Sequence, residues 1–215
     1  MTTETKIISL ISLVSIALLI GFVWLSTANA PLPKIEPQTI EKPEIVDSQS
    51  QRLLPDAPVQ LVEFGDFQCP ACGATHPVIK QLQAHFGSRL GFVYRHYPLD
   101  GIHPHADSAA LASQAAANQG KFFEYHDLLF AKQNNWNTAP SIKKKLLAYA
   151  EELGLDLDKF KADLVAPATR ERVAFDKGTA VALGLTGTPS LFINGERYQG
   201  ELTFEALKTA IEAIK

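Results

Sequence analysis

The only two cysteines of this 215-residue chain, Cys69 and Cys72, are three residues apart, where a predicted strand ends and a predicted helix begins. Two cysteines are too few for a disulfide-stapled miniature fold or for a zinc site made of thiolates alone. Pro70 suits the first helical position, so Cys69 lies at the helix N-terminus. Unpaired backbone N–H groups and the helix dipole lower a thiol pKa there from about 8.5 to roughly 3.5–7.5. We therefore predict that Cys69 is a thiolate at neutral pH.

Cys72 follows one helical turn later, where it could close a disulfide with Cys69 and resolve mixed disulfides. A different class of function stays open at this motif. His76 lies four residues after Cys72 on the same helix face, so these three side chains could bind copper or zinc, as in a metallochaperone. A fourth ligand with recognisable spacing is missing from the sequence. We therefore expect no metal and keep the metallochaperone as the alternative.

The order of predicted elements is typical of an α/β fold. Apolar, β-rich runs at 59–64 and 90–97 flank a helical segment of about 17 residues, which makes a βαβ unit with parallel strands. Helical patterns then fill an insertion over about 102–183, and strands return at 190–194 and 197–199. A final amphipathic helix covers 203–214. We predict a sheet interrupted by a helical subdomain.

The N-terminus carries an uncharged apolar run from Ile7 to Leu25. Its 19 residues at 1.5 Å each extend about 28 Å, close to the roughly 30 Å thickness of the hydrocarbon core of a bilayer. We predict that residues 1–30 are a signal peptide or membrane anchor, with the transmembrane part at about 7–25. A retained anchor is favoured, although Ala28-Asn29-Ala30 resembles a signal-peptidase site.

The segment 31–57 is rich in proline and polar residues, which predicts an extended linker. The remainder, 58–215, is long enough for one domain with its own core. Its partners are not nucleic acids, because 20 Lys and Arg against 23 Asp and Glu provide no positive field for phosphates.

Two prolines mark special backbone positions. Pro77 falls inside the predicted helix after the cysteines, and we expect Gly73 to relieve crowding around the resulting kink. The sequence Gly187-Thr188-Pro189-Ser190 stands directly before a strand, where proline cannot donate to the sheet. It predicts a turn and allows a cis peptide bond.

Four stretches give the chain a specific resemblance: FGDFQCPAC (64–72), YRHYPL (94–99), GKFFEYHDLLF (120–130) and GTPSLFING (187–195). Together they resemble the DsbA-like disulfide oxidoreductases of the thioredoxin superfamily, over nearly all of 58–215. The resemblance implies a thioredoxin fold with a helical insertion. It also implies a protein thiol–disulfide oxidoreductase.

The resemblance also implies roles for individual residues. Cys69 would be the attacking thiol, Cys72 the resolving thiol and Pro189 the cis-proline. Thr188 would offer backbone hydrogen bonds to an extended substrate segment, next to the Pro70-Ala71 pair that helps set the redox potential. Glu63 matches a buried acidic residue that relays protons to the resolving cysteine. Strand alternation alone leaves open whether Glu63 is buried or exposed at a sheet edge.

These roles predict an extracytoplasmic oxidase that donates the Cys69–Cys72 disulfide to reduced proteins and needs no other cofactor. It would lie on the periplasmic side of the inner membrane, anchored by the N-terminal segment, or be soluble in the periplasm if that segment is cleaved. A membrane quinone-linked reoxidase is implied by resemblance. A reductase or isomerase of the same fold is the close alternative.

Overall fold

The structure is a computed structural model that describes residues 44–214. The predicted membrane segment at 7–25 and the first part of the predicted linker, 31–43, lie outside the described residues. Between residues 44 and 214, the structure contains no helix that is both long and apolar enough to cross a bilayer.

A mixed five-stranded sheet forms the centre of the described domain. Its strands are β1 (Gln51–Leu53), β2 (Val59–Gly65), β3 (Leu90–His96), β4 (Ser190–Ile193) and β5 (Glu196–Arg197). They lie in the order β1-β3-β2-β4-β5, and only the β2–β3 pair is parallel. Helix α1 (Pro70–Phe86) connects these two parallel strands. The predicted βαβ unit is therefore confirmed.

The predicted helical insertion is confirmed between β3 and β4. It consists of α2 (Ala106–Ala117), α3 (Phe122–Ala131), α4 (Lys143–Glu152), α5 (Leu157–Val165) and α6 (Pro167–Ala182), and α7 (Phe204–Glu212) follows the sheet. The side chain of Asp156 caps α5 by accepting from two backbone N–H groups, and Thr203 caps α7 in the same way with one. These two N-caps fix where α5 and α7 begin.

Both faces of the sheet are covered, so neither side of its central strands β2 and β3 faces solvent. Leu61 on β2 packs in the cluster that also contains Ile79 of α1 and Leu207 of α7. Its neighbour Val62 points to the opposite face and packs in the cluster that contains Ala180 of α6. Because side chains alternate along a strand, Glu63 lies on the α1 side with Leu61. The fold therefore places this carboxyl beneath the cysteine-bearing helix.

The folded domain begins earlier than the predicted boundary at residue 58. Within the predicted linker, Gln51–Leu53 pair antiparallel with β3 as strand β1. Just before it, Asp47 is buried and binds Arg172, with Nη1 2.8 Å from Oδ1, while Arg95 Nη2 lies 3.2 Å from Oδ2. A three-residue strand is too short to show period-two alternation, and these ion pairs join residues far apart in the sequence.

Candidate active site

Cys69 is the N-cap residue of α1, with Pro70 at the first helical position as predicted. The side chain of Cys69 is 7% exposed, and its Sγ lies 3.4 Å from the carbonyl oxygen of Thr188. A hydrogen bond from the Cys72 thiol lowers the pKa of Cys69 to about 5, helped by the backbone N–H groups of Ala71 and Cys72 and opposed by partial burial. Cys69 is thus the sulfur that ionises at neutral pH.

Cys72 has the opposite character. Its thiol is fully buried, and the backbone N–H of Asp66 lies 3.5 Å from its Sγ. Burial raises the pKa of Cys72 well above its ordinary value, and the hydrogen bond to Cys69 and the negative charges of Glu63 and Cys69 add to this effect. Both sulfurs are unpaired in this structure. The pair therefore combines one thiolate with one protonated thiol.

Glu63 is buried in β2, so the alternative of an exposed carboxylate at a sheet edge does not hold. Its strand lies between β3 and β4, where its partners are Tyr94 and Leu191. Burial raises the pKa of Glu63 to about 8, the charge of Cys69 adds to the rise, and a hydrogen bond with Cys72 opposes it. Near neutral pH this carboxyl holds a proton next to the buried thiol.

The space around Glu63 depends on a glycine two residues further along β2. A Cβ on Gly65 would lie 2.9 Å from Oε1 of Glu63 and 2.8 Å from the Tyr94 hydroxyl. Neither of these two buried oxygens has a hydrogen-bond partner within the described part of the chain. Gly65 therefore leaves the room that both polar groups occupy.

The loop before β4 closes the site from the other side. The Thr188–Pro189 peptide bond is cis, as the sequence allows. Ser190 donates from Oγ to the carbonyl of Gly187 at 2.8 Å, which holds the turn together. Pro70 and Ala71 are exposed beside this loop's contact with Cys69. The structure thus brings together the predicted residues of the cysteine motif and the predicted turn.

The turn that leads into α1 is held by two side chains, one of them near in the sequence and the other distant. Asp66 accepts from the backbone N–H of Gln68 at 2.7 Å and from that of Leu99 at 3.0 Å. From the helical insertion, Gln133 donates to two carbonyls of the same turn, those of Phe67 and Cys69. Residues separated by more than 60 positions make this last contact, so no local pattern could have pointed to it.

The structure does not assemble the metal site of the alternative prediction. His76 Nε2 lies 2.9 Å from Oδ1 of Asp127 on α3, and the same oxygen lies 3.0 Å from His126 Nδ1. Lys80 pairs with the other carboxylate oxygen at 2.7 Å. Among the described residues, these two histidines and Asp127 are the one group that could bind a metal ion, and neither cysteine belongs to it. The Lys80 ammonium already supplies the positive charge there.

Comparison with curated proteins gives matches to part of longer chains. The Na(+)/H(+) antiporter NhaA 1 of Salinispora arenicola is 43% identical over 156 residues, which are 73% of this chain and 23% of that protein. The antiporter NhaA of Herminiimonas arsenicoxydans is 40% identical over 179 residues, 83% of this chain and 28% of that protein. The chain thus spans about a quarter of the length of these relatives. The name antiporter refers to those longer proteins.

Solved structures share the fold over most of the chain. A thioredoxin-like oxidoreductase from Silicibacter pomeroyi has a TM-score of 0.67 at 27% identity and covers 80% of this chain and 95% of its own. Alpha-DsbA1 of Wolbachia pipientis has a TM-score of 0.70 at 22% identity, covering 79% and 92%. The family model described as Thioredoxin matches residues 54–213. The chain therefore belongs to the thioredoxin family, and with its helical insertion and its cysteine pair at the start of α1 it shares the fold of alpha-DsbA1.

Proposed function

We propose that this thiol–disulfide oxidoreductase acts as an oxidase, which donates a Cys69–Cys72 disulfide to reduced proteins. The observation that carries the proposal is the pKa of Cys69, held at about 5. A thiolate at neutral pH stabilises the reduced pair and therefore makes the oxidised pair a stronger oxidant. Relative to a thiol with the ordinary pKa of 9.0, the stabilisation at pH 7 is about 3 kcal/mol, or about 60 mV.

The reaction requires two exchanges. A substrate thiolate attacks Cys69 Sγ, the Cys69–Cys72 bond breaks, and Cys72 leaves with the electron pair of that bond. A second substrate thiolate then attacks the substrate sulfur of the mixed disulfide and releases Cys69 as a thiolate. The substrate gains one disulfide and loses two electrons and two protons. The reduced protein keeps both electrons and one proton, the latter on Cys72.

Glu63 is proposed as the group that supplies this proton. Its pKa of about 8 means that it is protonated when the disulfide opens near neutral pH, and it lies on the α1 side of the sheet, where Cys72 is buried. Transfer to the leaving sulfur would avoid a second negative charge in a fully buried position. Glu63 would regain its proton from solvent before or during reoxidation.

The Thr188–Pro189 turn is proposed to bind the substrate next to the reacting sulfur. The turn lies against Cys69, with Cys69 Sγ 3.4 Å from the Thr188 carbonyl. An extended peptide could pair with the backbone at this position, as in other cases of strand addition. The exposed Pro70 and Ala71 would line the same approach.

We further propose that the reaction takes place outside the cytosol, because disulfide donation is useful only where glutathione and thioredoxin do not reverse it. The apolar segment at 7–25 supports delivery to or across the inner membrane. Reduced substrate proteins and a membrane quinone-linked reoxidase would be the partners. The redox-active disulfide would be the only cofactor.

A direct assay of disulfide donation tests the proposal. The oxidised protein is mixed with a reduced, unfolded protein that needs disulfides for its activity, and disulfide formation is followed with time. We expect oxidation by the wild type and none by Cys69→Ser. Ala74→Ser, an exposed substitution on the same helix, is the matched control and should remain active. Activity retained by Cys69→Ser, or faster reduction than oxidation by the wild type, would refute the oxidase.

A further inference from the structure

We propose that Gln133 is a positioning residue that sets the ionisation of Cys69. The residue begins the 3₁₀ turn Gln133–Asn135, directly after α3 in the helical insertion. The inference rests on the proposed function, since it concerns the same nucleophile. It assigns to the helical insertion a part in the redox chemistry in addition to covering the sheet.

The carboxamide of Gln133 uses its amino group entirely on the turn before α1. Nε2 donates to the carbonyl of Phe67 at 2.8 Å and to the carbonyl of Cys69 at 2.9 Å, and the side chain is buried. The Cys69 carbonyl also accepts the first helical hydrogen bond, from Gly73 N at 3.1 Å. Within residues 44–214, the Phe67 carbonyl has no other hydrogen-bond donor. One amide therefore bridges the two peptide groups that precede the helix.

Gly73 provides a second, independent sign that this contact shapes the site. A Cβ on residue 73 would lie 2.9 Å from Cδ and 3.0 Å from Nε2 of Gln133, and closer still to Oε1. Atoms cannot approach so closely without a shift. Glycine at this position is what allows the amide of Gln133 to lie against the first turn of α1.

The ionisation of Cys69 depends on where this peptide is held. Cys69 lies at the N-cap, in neither a strand nor a helix, and its Sγ has a hydrogen-bond contact with the Thr188 carbonyl at 3.4 Å. The backbone N–H groups of Ala71 and Cys72 lower its pKa only while its sulfur stays in front of them. Gln133 fixes the carbonyl of Cys69 itself, so its removal lets this peptide rotate and moves the sulfur relative to the Cys72 thiol, the main cause of its lowered pKa, and to the helix N-terminus.

The first test replaces the amide with a side chain of similar length that has no donor. In the reduced protein, Gln133→Met should raise the pKa of Cys69 by about one unit, which lowers the thiolate fraction at pH 5 about fivefold. The pKa is read from the thiolate absorbance as a function of pH. An unchanged pKa in folded Gln133→Met would overturn the proposal, because a purely structural residue would lower stability alone.

Gln119→Met is the matched control. Gln119 also makes two hydrogen bonds to backbone groups, both of them in Asp156, at 3.1 Å and 2.9 Å. Its loss should lower the stability of the insertion and leave the pKa of Cys69 unchanged. A pKa that rises equally in both variants would mean that general loosening, and not the contact with the turn, is the cause.

The second test approaches the same contact from α1, where Gly73→Ala leaves Gln133 in place. Gly73→Ala should raise the pKa of Cys69 by displacing the amide, and Gln133→Ala should raise it by removing the amide. Because both changes break the same contact, their effects in the double variant should be clearly smaller than the sum. Additive effects would contradict the proposal. The measurement uses the free thiols without substrate, so failure of the oxidase proposal would leave its result unaffected.

Discussion

Replacing Glu63 with glutamine should stabilise the protein, and the gain should grow with pH. In the unfolded chain the carboxyl has the ordinary pKa of 4.5, whereas in the folded protein burial raises the pKa to about 8. The folded state therefore holds a proton that the unfolded state releases. The contribution of Glu63 to stability is therefore fully present below pH 4.5 and is lost progressively as the pH rises to about 8.

The size of the effect follows from these two values. At pH 7 the cost of keeping Glu63 protonated is about 3 kcal/mol. The difference between Glu63→Gln and the wild type should increase by about 2–3 kcal/mol from pH 5.5 to pH 7.5. This increase does not depend on how well the glutamine side chain packs, because that contribution changes little with pH.

Urea unfolding of the reduced protein at several pH values measures the difference directly. Glu151→Gln, at an exposed position of α4, is the control for the same chemical change outside the core. A flat difference for Glu63→Gln would refute the reasoning, since Glu63 would then have the same protonation in the folded and unfolded chains.

Three further predictions concern packing, charge and the thiol pair. Gly65→Ala should lower the free energy of unfolding in urea by about 1–3 kcal/mol, because its Cβ would lie 2.6 Å from a Tyr94 ring carbon. The Cβ of Gly101→Ala meets open space, so this control should cost little. Equal costs for the two variants would contradict the steric argument. By the same method, Asp47→Ala should lower the free energy of unfolding by about 3 kcal/mol or more, because it removes a carboxylate from two buried arginines. Asp100→Ala breaks an exposed pair and should cost less than about 1 kcal/mol. A small loss for Asp47→Ala would show that the buried network is dispensable. Cys72→Ala should raise the pKa of Cys69, which is read from the thiolate absorbance. Cys72→Ser should raise it less, because the serine hydroxyl still donates a hydrogen bond. An unchanged pKa in Cys72→Ala would rule out the thiol hydrogen bond as the main cause of the lowered pKa.

Features with local causes could be predicted from the sequence. Proline at the first helical position places Cys69 at the N-cap, and the helix that follows has the predicted length of about 17 residues. Glycines at 120, 154 and 184 end three of the predicted helices with φ between +68° and +73°. A proline at the first helical position and a closing glycine each act on the few residues next to them in the chain, so short-range patterns are sufficient.

Features that depend on distant contacts could not be predicted. The sequence pattern places His76 on the same helix face as Cys72. In the structure, however, the His76 ring binds Asp127, which lies 51 residues away on α3. The sequence predicts that Gly73 relieves crowding at the kink caused by Pro77. The structure shows in addition that Gly73 lies in close contact with Gln133. The burial of Glu63 could not be decided because both faces of β2 are covered, which removes the usual polar alternation.

The pH dependence of the redox potential tests the central claim most directly. The potential of the Cys69–Cys72 pair is measured against glutathione from pH 4 to pH 8. Below the pKa of Cys69, reduction takes up two protons and the potential should fall by about 60 mV per pH unit; above it, one proton is taken up and the slope should be about 30 mV. The account predicts that this change of slope occurs near pH 5. A slope that stays near 60 mV per unit up to pH 8 would contradict it, because Cys69 would then be protonated throughout.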